Sequence, residues 1–255
     1  MKFTSKFFSQ FLAAGVLAIS VNAFASIAYI SGSSEPWGQQ GGVNGMNQVY
    51  GVGNWNRLQF NTAIANGAYD YDALYIDGGD GQTMAFESFI NANRTGLEGF
   101  VSNGGSLFLN AARWDDYSPF NLGFGVTLNA SSSLTGHIAT GQANNVIFSN
   151  TGSSWNGSAF SHDYVSGTGL TSLIDDSMNR SILAEMDFGA GHVMFGGLTL
   201  AFFGEHGSWS SNTGLLRNNI YEYVGETSNN VPEPASLALF GLGLAGLAAS
   251  RRRKS

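Results

Sequence analysis

The chain has 255 residues, a formal net charge of −7 and no cysteine. That length suffices for one generous domain with a substantial core, and the missing thiols exclude disulfides, thiolate metal ligands and a cysteine nucleophile. Between Ser26 and Val231 there are five arginines, no lysine and 17 acidic residues, a net of −12, which opposes nucleic-acid binding and adhesion to anionic membranes, since both need clustered cations.

At the start of the chain, Lys2 and Lys6 precede "FFSQFLAAGVLAISV", and small residues follow at "NAFA". This charged, apolar and A-x-A order is that of a secretory signal peptide over residues 1–25, with Ala23 and Ala25 at the recognition positions and cleavage by signal peptidase before Ser26. The body, residues 26–227, opens on "IAYIS" (Ile27 to Ser31), a first strand, followed by a Gly-rich loop to about Gly53. "NWNRLQFNTAIANG" sets Trp55, Leu58 and Ala63 near helical spacing and predicts a helix ending at Gly67. "ALYIDGG" reads as a buried strand, "AFESFINANRTGLEGFVSNGG" as a helix and "SLFLNAARW" as another short strand. Such alternation argues for parallel βαβ units whose carboxyl ends open onto Gly79, Asp80 and Arg113.

Further along, "SSWNGSAFSHDY" reads as a loop. "SILAEMDFGAGHVMFGGLTL" predicts two strands joined through Gly189-Ala190-Gly191, and "GLLRNNIYEYVGE" a terminal helix carrying Leu215, Ile220, Tyr221 and Val224. The expected fold class is α/β, a mostly parallel sheet flanked by helices with an antiparallel extension.

Asp77, Asp80, Arg113, Asp115 and Asp116 fall where open α/β sheets bind ligands. Paired carboxylates there would suit a hydrolase, and carboxylate and carbonyl oxygens would suit Ca²⁺; aspartates beside glycine also cap helices and shape turns. The four histidines, His137, His162, His192 and His206, lack metal-ligand spacing, so no metal is expected. His192 reads as structural, whereas His162, beside Asp163, is the one expected to face a ligand. Trp37, Trp114, Trp155 and Trp209 stand in polar, Gly- or Ser-rich surroundings, where flat rings can stack on sugar faces, although large rings also close the ends of a core. The candidate ligand-binding set is Asp80, Arg113, Trp114, Asp115, Trp155 and His162, with extracellular polysaccharide as the candidate partner.

The last segment, residues 228–255, has three parts: Pro232, Glu233 and Pro234; an apolar run, Ala235 to Ala249; and Arg251, Arg252, Arg253 and Lys254. The run of 15 residues makes a helix of about 22 Å against a hydrocarbon thickness of roughly 30 Å. As a transmembrane helix over 235–249 it would rely on the four cations to anchor its cytoplasmic end, and the prolines keep its entry extended. "GLGLAG", Gly241 to Gly246, satisfies a dinucleotide fingerprint but lies inside this run without a preceding strand, so no cofactor is expected.

This tail resembles the PEP-CTERM sorting signal of exported Gram-negative bacterial proteins. The resemblance implies recognition by an exosortase, transient residence in the inner membrane, and an association with exopolysaccharide and biofilm at the cell surface or extracellular matrix. The body resembles the flavodoxin-like class I glutamine amidotransferase-like proteins, including the trehalose-utilisation branch, in "YDALYIDGG", "LEGFVSNGGSLFLNAARW", "GAGHVMFGG" and "LLRNNIYEYV". Catalytic members of that family place a cysteine at the turn after the strand that "SLFLN" forms; here the turn reads Asn110, Ala111, Ala112, Arg113, and Glu205-His206 stand in the reverse of the family's order. Amidotransferase activity is therefore not expected. The expectation is a non-catalytic exported protein, with two alternatives: a secreted carbohydrate-active hydrolase using Asp80, Arg113 and Asp115, or a Ca²⁺-stabilised surface interaction domain.

Overall fold

Three five-residue runs, β1 (Ile27–Ser31), β3 (Ala73–Asp77) and β4 (Ser106–Asn110), are buried at every position in the computed structural model, which describes residues 25–205 and 211–228. Uninterrupted burial is the mark of strands covered on both faces. Their side chains alternate accordingly. Ala28, Ile30, Leu74, Ile76, Leu107 and Leu109 meet Phe86, Ile90, Leu97 and Val101 of α2 (Thr83–Ser102) on one face. Ile27, Tyr29, Tyr75 and Phe108 meet Met46 of α1 (Gly41–Tyr50) and Leu216, Ile220, Tyr221 and Val224 of α3 (Thr213–Ser228) on the other. The result is a helix–sheet–helix sandwich.

The short strand β2 (Asn56–Gln59) flanks β1, and the remaining strands are β5 (Phe120–Gly123), β6 (Val126–Ile138), β7 (Ser154–Gly167), β8 (Thr171–Asp175), β9 (Ser181–Phe188) and β10 (Gly191–Gly196). The sheet order is β2-β1-β3-β4-β10-β9-β8-β6-β5, with β7 paired to β6. Neighbours from β2 to β10 run parallel, and from β10 onward the pairing is antiparallel. The expected α/β class with an antiparallel extension is what forms. α3 starts beyond the carboxyl end of β10 and finishes beside the first residue of β4, where Thr227 Oγ1 and Ser106 Oγ lie 2.9 Å apart.

Several local expectations are corrected. The helix predicted over "NWNRLQFNTAIANG" is instead β2 followed by turns to Gly67, whose φ of +73° is left-handed. Only Leu58 of β2 is buried, opposite Ile30, as befits an edge strand. The expected Gly-rich loop contains α1, a helix despite glycine's poor propensity. A Cβ at Gly45 would stand 2.6 Å from Arg217 Nε and 2.8 Å from the Tyr221 ring, so the glycine lets α1 lie close against α3. On α3 itself Leu216 is buried where Leu215, 40 % exposed, was expected.

The largest correction is β7, of which all but the last three residues were expected to be a loop. Trp155 is not a surface ring but 2 % exposed, stacked between Phe148 (5.8 Å) and Phe160 (6.2 Å), its Nε1 donating to the Thr151 carbonyl at 2.9 Å. Among the described residues no helix is long and apolar enough to cross a membrane. The apolar run at 235–249, the sorting residues Pro232, Glu233, Pro234, Arg251, Arg252, Arg253 and Lys254, and Ala23 of the signal segment all lie outside the described residues, as do His206 and Trp209. Trp155→Ala is expected to lower unfolding free energy by about 3–5 kcal/mol, measured by urea denaturation.

Candidate functional site

The carboxyl ends of β1, β3 and β4 carry three loops to one edge of the sheet. Beneath them lies a polar floor. The hydroxyl of Tyr29, fully buried on β1, donates to Glu35 Oε2 and Asp77 Oδ2, both at 3.3 Å. Asn110, the last residue of β4, donates to Asp77 Oδ1 at 3.1 Å and to the Leu198 carbonyl at 2.9 Å, and accepts from the Leu198 N–H at 3.0 Å. Arg57 reaches Glu35 Oε1 at 2.7 Å. Burial pushes the Asp77 carboxyl up to about 7, opposed by the Asn110 hydrogen bond and reinforced by the Glu35 charge; burial likewise raises Glu35, against the pull of Arg57.

Arg113, expected to face a ligand, does not. It is 1 % exposed. Its Nε and Nη2 donate to Asp163 Oδ1 at 3.1 and 2.7 Å, Nη1 donates to Glu87 Oε1 at 2.8 Å, Nη2 reaches the Leu128 carbonyl at 3.4 Å, and its backbone N–H donates to Asp163 Oδ2 at 2.7 Å. Burial disfavours this charge, but the bonds and charges of Asp163 and Glu87 outweigh it and hold the guanidinium above its ordinary value. Asp115 is also engaged, accepting from Thr83 Oγ1 at 2.5 Å at the first residue of α2, where a carboxylate complements the helix dipole. Asp80 is half-buried, and its carbonyl accepts from the Trp37 N–H at 3.1 Å.

Above the floor sits an aromatic cluster. Trp37 stacks on His162 at 4.8 Å and 21°, Trp114 stands edge-on to His162 at 4.8 Å and 77° and to Trp37 at 6.4 Å and 60°, and Phe202 meets Trp37 edge-on at 5.7 Å. Trp114 is 51 % exposed and Trp37 half-buried, whereas His162 is buried below them. Burial lowers His162 to about 4, so its ring is neutral at physiological pH. Trp37 holds a left-handed backbone, φ 58°, rare for a bulky residue. Its ring is seated by Gly79, where a Cβ would stand 2.9 Å from Trp37 Nε1. That nitrogen is buried with no hydrogen-bond partner among the described residues.

Of the six expected ligand-binding residues, the structure gathers Asp80, Trp114, Asp115 and His162 at this edge, fixes Arg113 beneath it, and sends Trp155 into the core. Tyr29, Glu35, Asn110, Asp163 and Phe202 were not foreseen. His192 lies elsewhere, its Nδ1 3.0 Å from Asp187 and Nε2 3.2 Å from Glu185. Among the described residues no group of three or more His, Asp or Glu side chains is arranged to hold a metal ion.

Residues 230–254 match the PEP-CTERM protein-sorting motif. The motif makes this an exported, membrane-processed protein of a Gram-negative bacterium, recognised by an exosortase. No curated protein matches the chain. Similar solved structures include a β-galactosidase from Rahnella sp. R3, with a TM-score of 0.45 and 10 % identity over 81 % of this chain and 32 % of that one. A β-galactosidase from Bacillus circulans sp. alkalophilus gives 0.43 and 10 % over 78 % and 31 %. A ThuA-like protein from Parabacteroides merdae gives 0.44 and 13 % over 82 % and 93 %. The chain spans about a third of the length of the two β-galactosidases.

Two outcomes follow from the floor. Arg113→Met leaves Asp163 buried without its cation and is expected to cost about 3–5 kcal/mol, with the Arg113→Met/Asp163→Leu double variant recovering part of the loss in the same denaturation assay. For Asp77, the folded carboxyl at about 7 lies above its ordinary 3.8. The folded state therefore binds more protons between those values, and this contribution to stability, full below about pH 4, is lost as pH rises to about 7. Asp77→Asn should remove that slope and gain up to about 4 kcal/mol relative to wild type between pH 4 and pH 8, measured by urea titrations across the range.

Proposed function

We propose that the exported body is a non-catalytic glycan-binding module of the cell surface or extracellular matrix, associated with exopolysaccharide or biofilm. The observation that carries this reading is the ring shelf of Trp37 and Trp114 over a neutral His162, with Trp114 half in solvent. Flat indole faces in a hydrated rim suit the apolar faces of sugar rings, and the half-buried Asp80 stands on the adjoining loop to accept hydroxyl hydrogen bonds. An acidic body without lysine favours a neutral polymer over an anionic one. The hydrolase alternative built on Asp80, Arg113 and Asp115 has less support: Arg113 is buried in ion pairs and Asp115 is engaged with α2.

Trp114→Ala is expected to weaken retention in polysaccharide-containing native gels by roughly tenfold, about 1.4 kcal/mol, while shifting the melting temperature little because the ring is half exposed. Unchanged retention, or release of reducing sugars from the same polysaccharides by the wild-type protein, overturns the proposal.

A further inference from the structure

The expected signal-peptide junction lies beside an unusual constellation. The Ser26 backbone nitrogen donates to Asp72 Oδ2 at 2.6 Å, the Ser26 hydroxyl donates to the same oxygen at 2.8 Å, and the Asp72 N–H lies 3.1 Å from Ser26 Oγ and 2.9 Å from the Ser26 carbonyl. Ser26 and Asp72 immediately precede Ile27 and Ala73, the first pair of the parallel β1–β3 ladder. Asp72 in turn accepts, through its carbonyl, the N–H of Ser106, the first residue of β4, at 3.0 Å. One carboxylate thus receives the residue at which the mature chain is expected to begin, at the point where the three central strands start.

We propose that signal-peptide cleavage completes an ion pair between the new Ser26 α-ammonium and Asp72, so that export processing itself fastens the first strand to the sheet. The inference rests on cleavage between Ala25 and Ser26. Hydrolysis adds water across that bond: hydroxyl goes to the Ala25 carbonyl carbon and a proton to the Ser26 nitrogen, which takes another from solvent below its pKa. Before cleavage this nitrogen is a neutral amide with one N–H, already aimed at Asp72 Oδ2. Afterwards it is a cation with three, held at the same carboxylate without rearrangement of β1. A charge-assisted bond replaces a neutral one. Both groups are solvent-exposed, so the gain in global stability is small and the effect is read at the amine itself.

The sequence makes that amine easy to observe. Lysine occurs only at positions 2, 6 and 254, so from Ser26 to Arg253 the chain carries no side-chain amine. Acylation of the exported protein with an amine-specific ester, followed by peptide mass spectrometry, reads Ser26 separately from Lys254. The Ser26 amine is expected to titrate above the ordinary α-amino range of about 7.7–8.0 and to react roughly threefold or more slowly at pH 7 than in Asp72→Asn. Ser26→Ala, which keeps the amine and loses the hydroxyl, should stay slow. If Asp72→Asn does not accumulate, comparison of native and urea-unfolded wild type gives the same readout, with the slow amine becoming fast on unfolding. Equal reactivity of wild type and Asp72→Asn, or of native and unfolded wild type, overturns the ion pair. An N-terminal residue other than Ser26 in the exported chain overturns the cleavage on which it rests.

Discussion

The buried ion pair of Arg113 with Asp163 is the interaction on which the upper edge of the molecule depends. It joins the loop that follows β4 in the parallel half to β7 in the antiparallel half, and through Glu87 it also holds α2. Desolvating these charges is costly: burial pushes the Asp163 carboxyl up to about 7, and the guanidinium and backbone N–H of Arg113 oppose that rise without cancelling it. The neighbours of the pair in the chain are Trp114 and His162. Fixing Arg113 and Asp163 therefore sets two aromatic rings 4.8 Å apart from residues far separated in sequence. The shelf is positioned from below by charges that never reach solvent.

The other arginines of the body are similarly committed. Arg57 serves Glu35, Arg94 bonds Asn91 and the Asn121 carbonyl, Arg180 pairs with Asp176, and Arg217 binds the Phe203 carbonyl and Glu205. Arg57, Arg94 and Arg217 thus each tie one segment to another, while Arg180 closes the β8–β9 turn and reaches Ser131 of β6. The remaining acidic residues leave a surface field of one sign, and polarity is otherwise supplied by neutral Asn, Ser, Thr and Gly.

What could be read from the sequence follows from which forces act locally. "IAYIS", "ALYID" and "SLFLN" are uninterrupted apolar runs because both their faces are covered, and the 181–196 hairpin announces itself through its glycine turn. α1 was hidden because its glycines serve the approach to α3, a tertiary demand that overrides propensity. β7 was hidden because its Gly- and Ser-rich first half gains its order from the long pairing with β6, interrupted by register shifts. Trp155 was misplaced for the same reason: its stacking partners, Phe148 and Phe160, come together only once that strand exists. At the site, the strand-end loops and the rings Trp114 and His162 were legible, while Asp163 as the partner of Arg113 was not, since nothing local links two residues 50 positions apart.

The direction of α3 has a consequence for how the exported protein presents itself. The helix closes at Ser228 beside the start of β4, and the first residue of β1 lies at that same end, whereas Trp114 follows the opposite end of β4. The sorting motif begins two residues later, at 230. A tether leaving from this end places the whole length of the central strands between its root and the ring shelf. The described fold thus sets the residue from which the motif-bearing segment departs and the candidate ring shelf at opposite ends of the same strands.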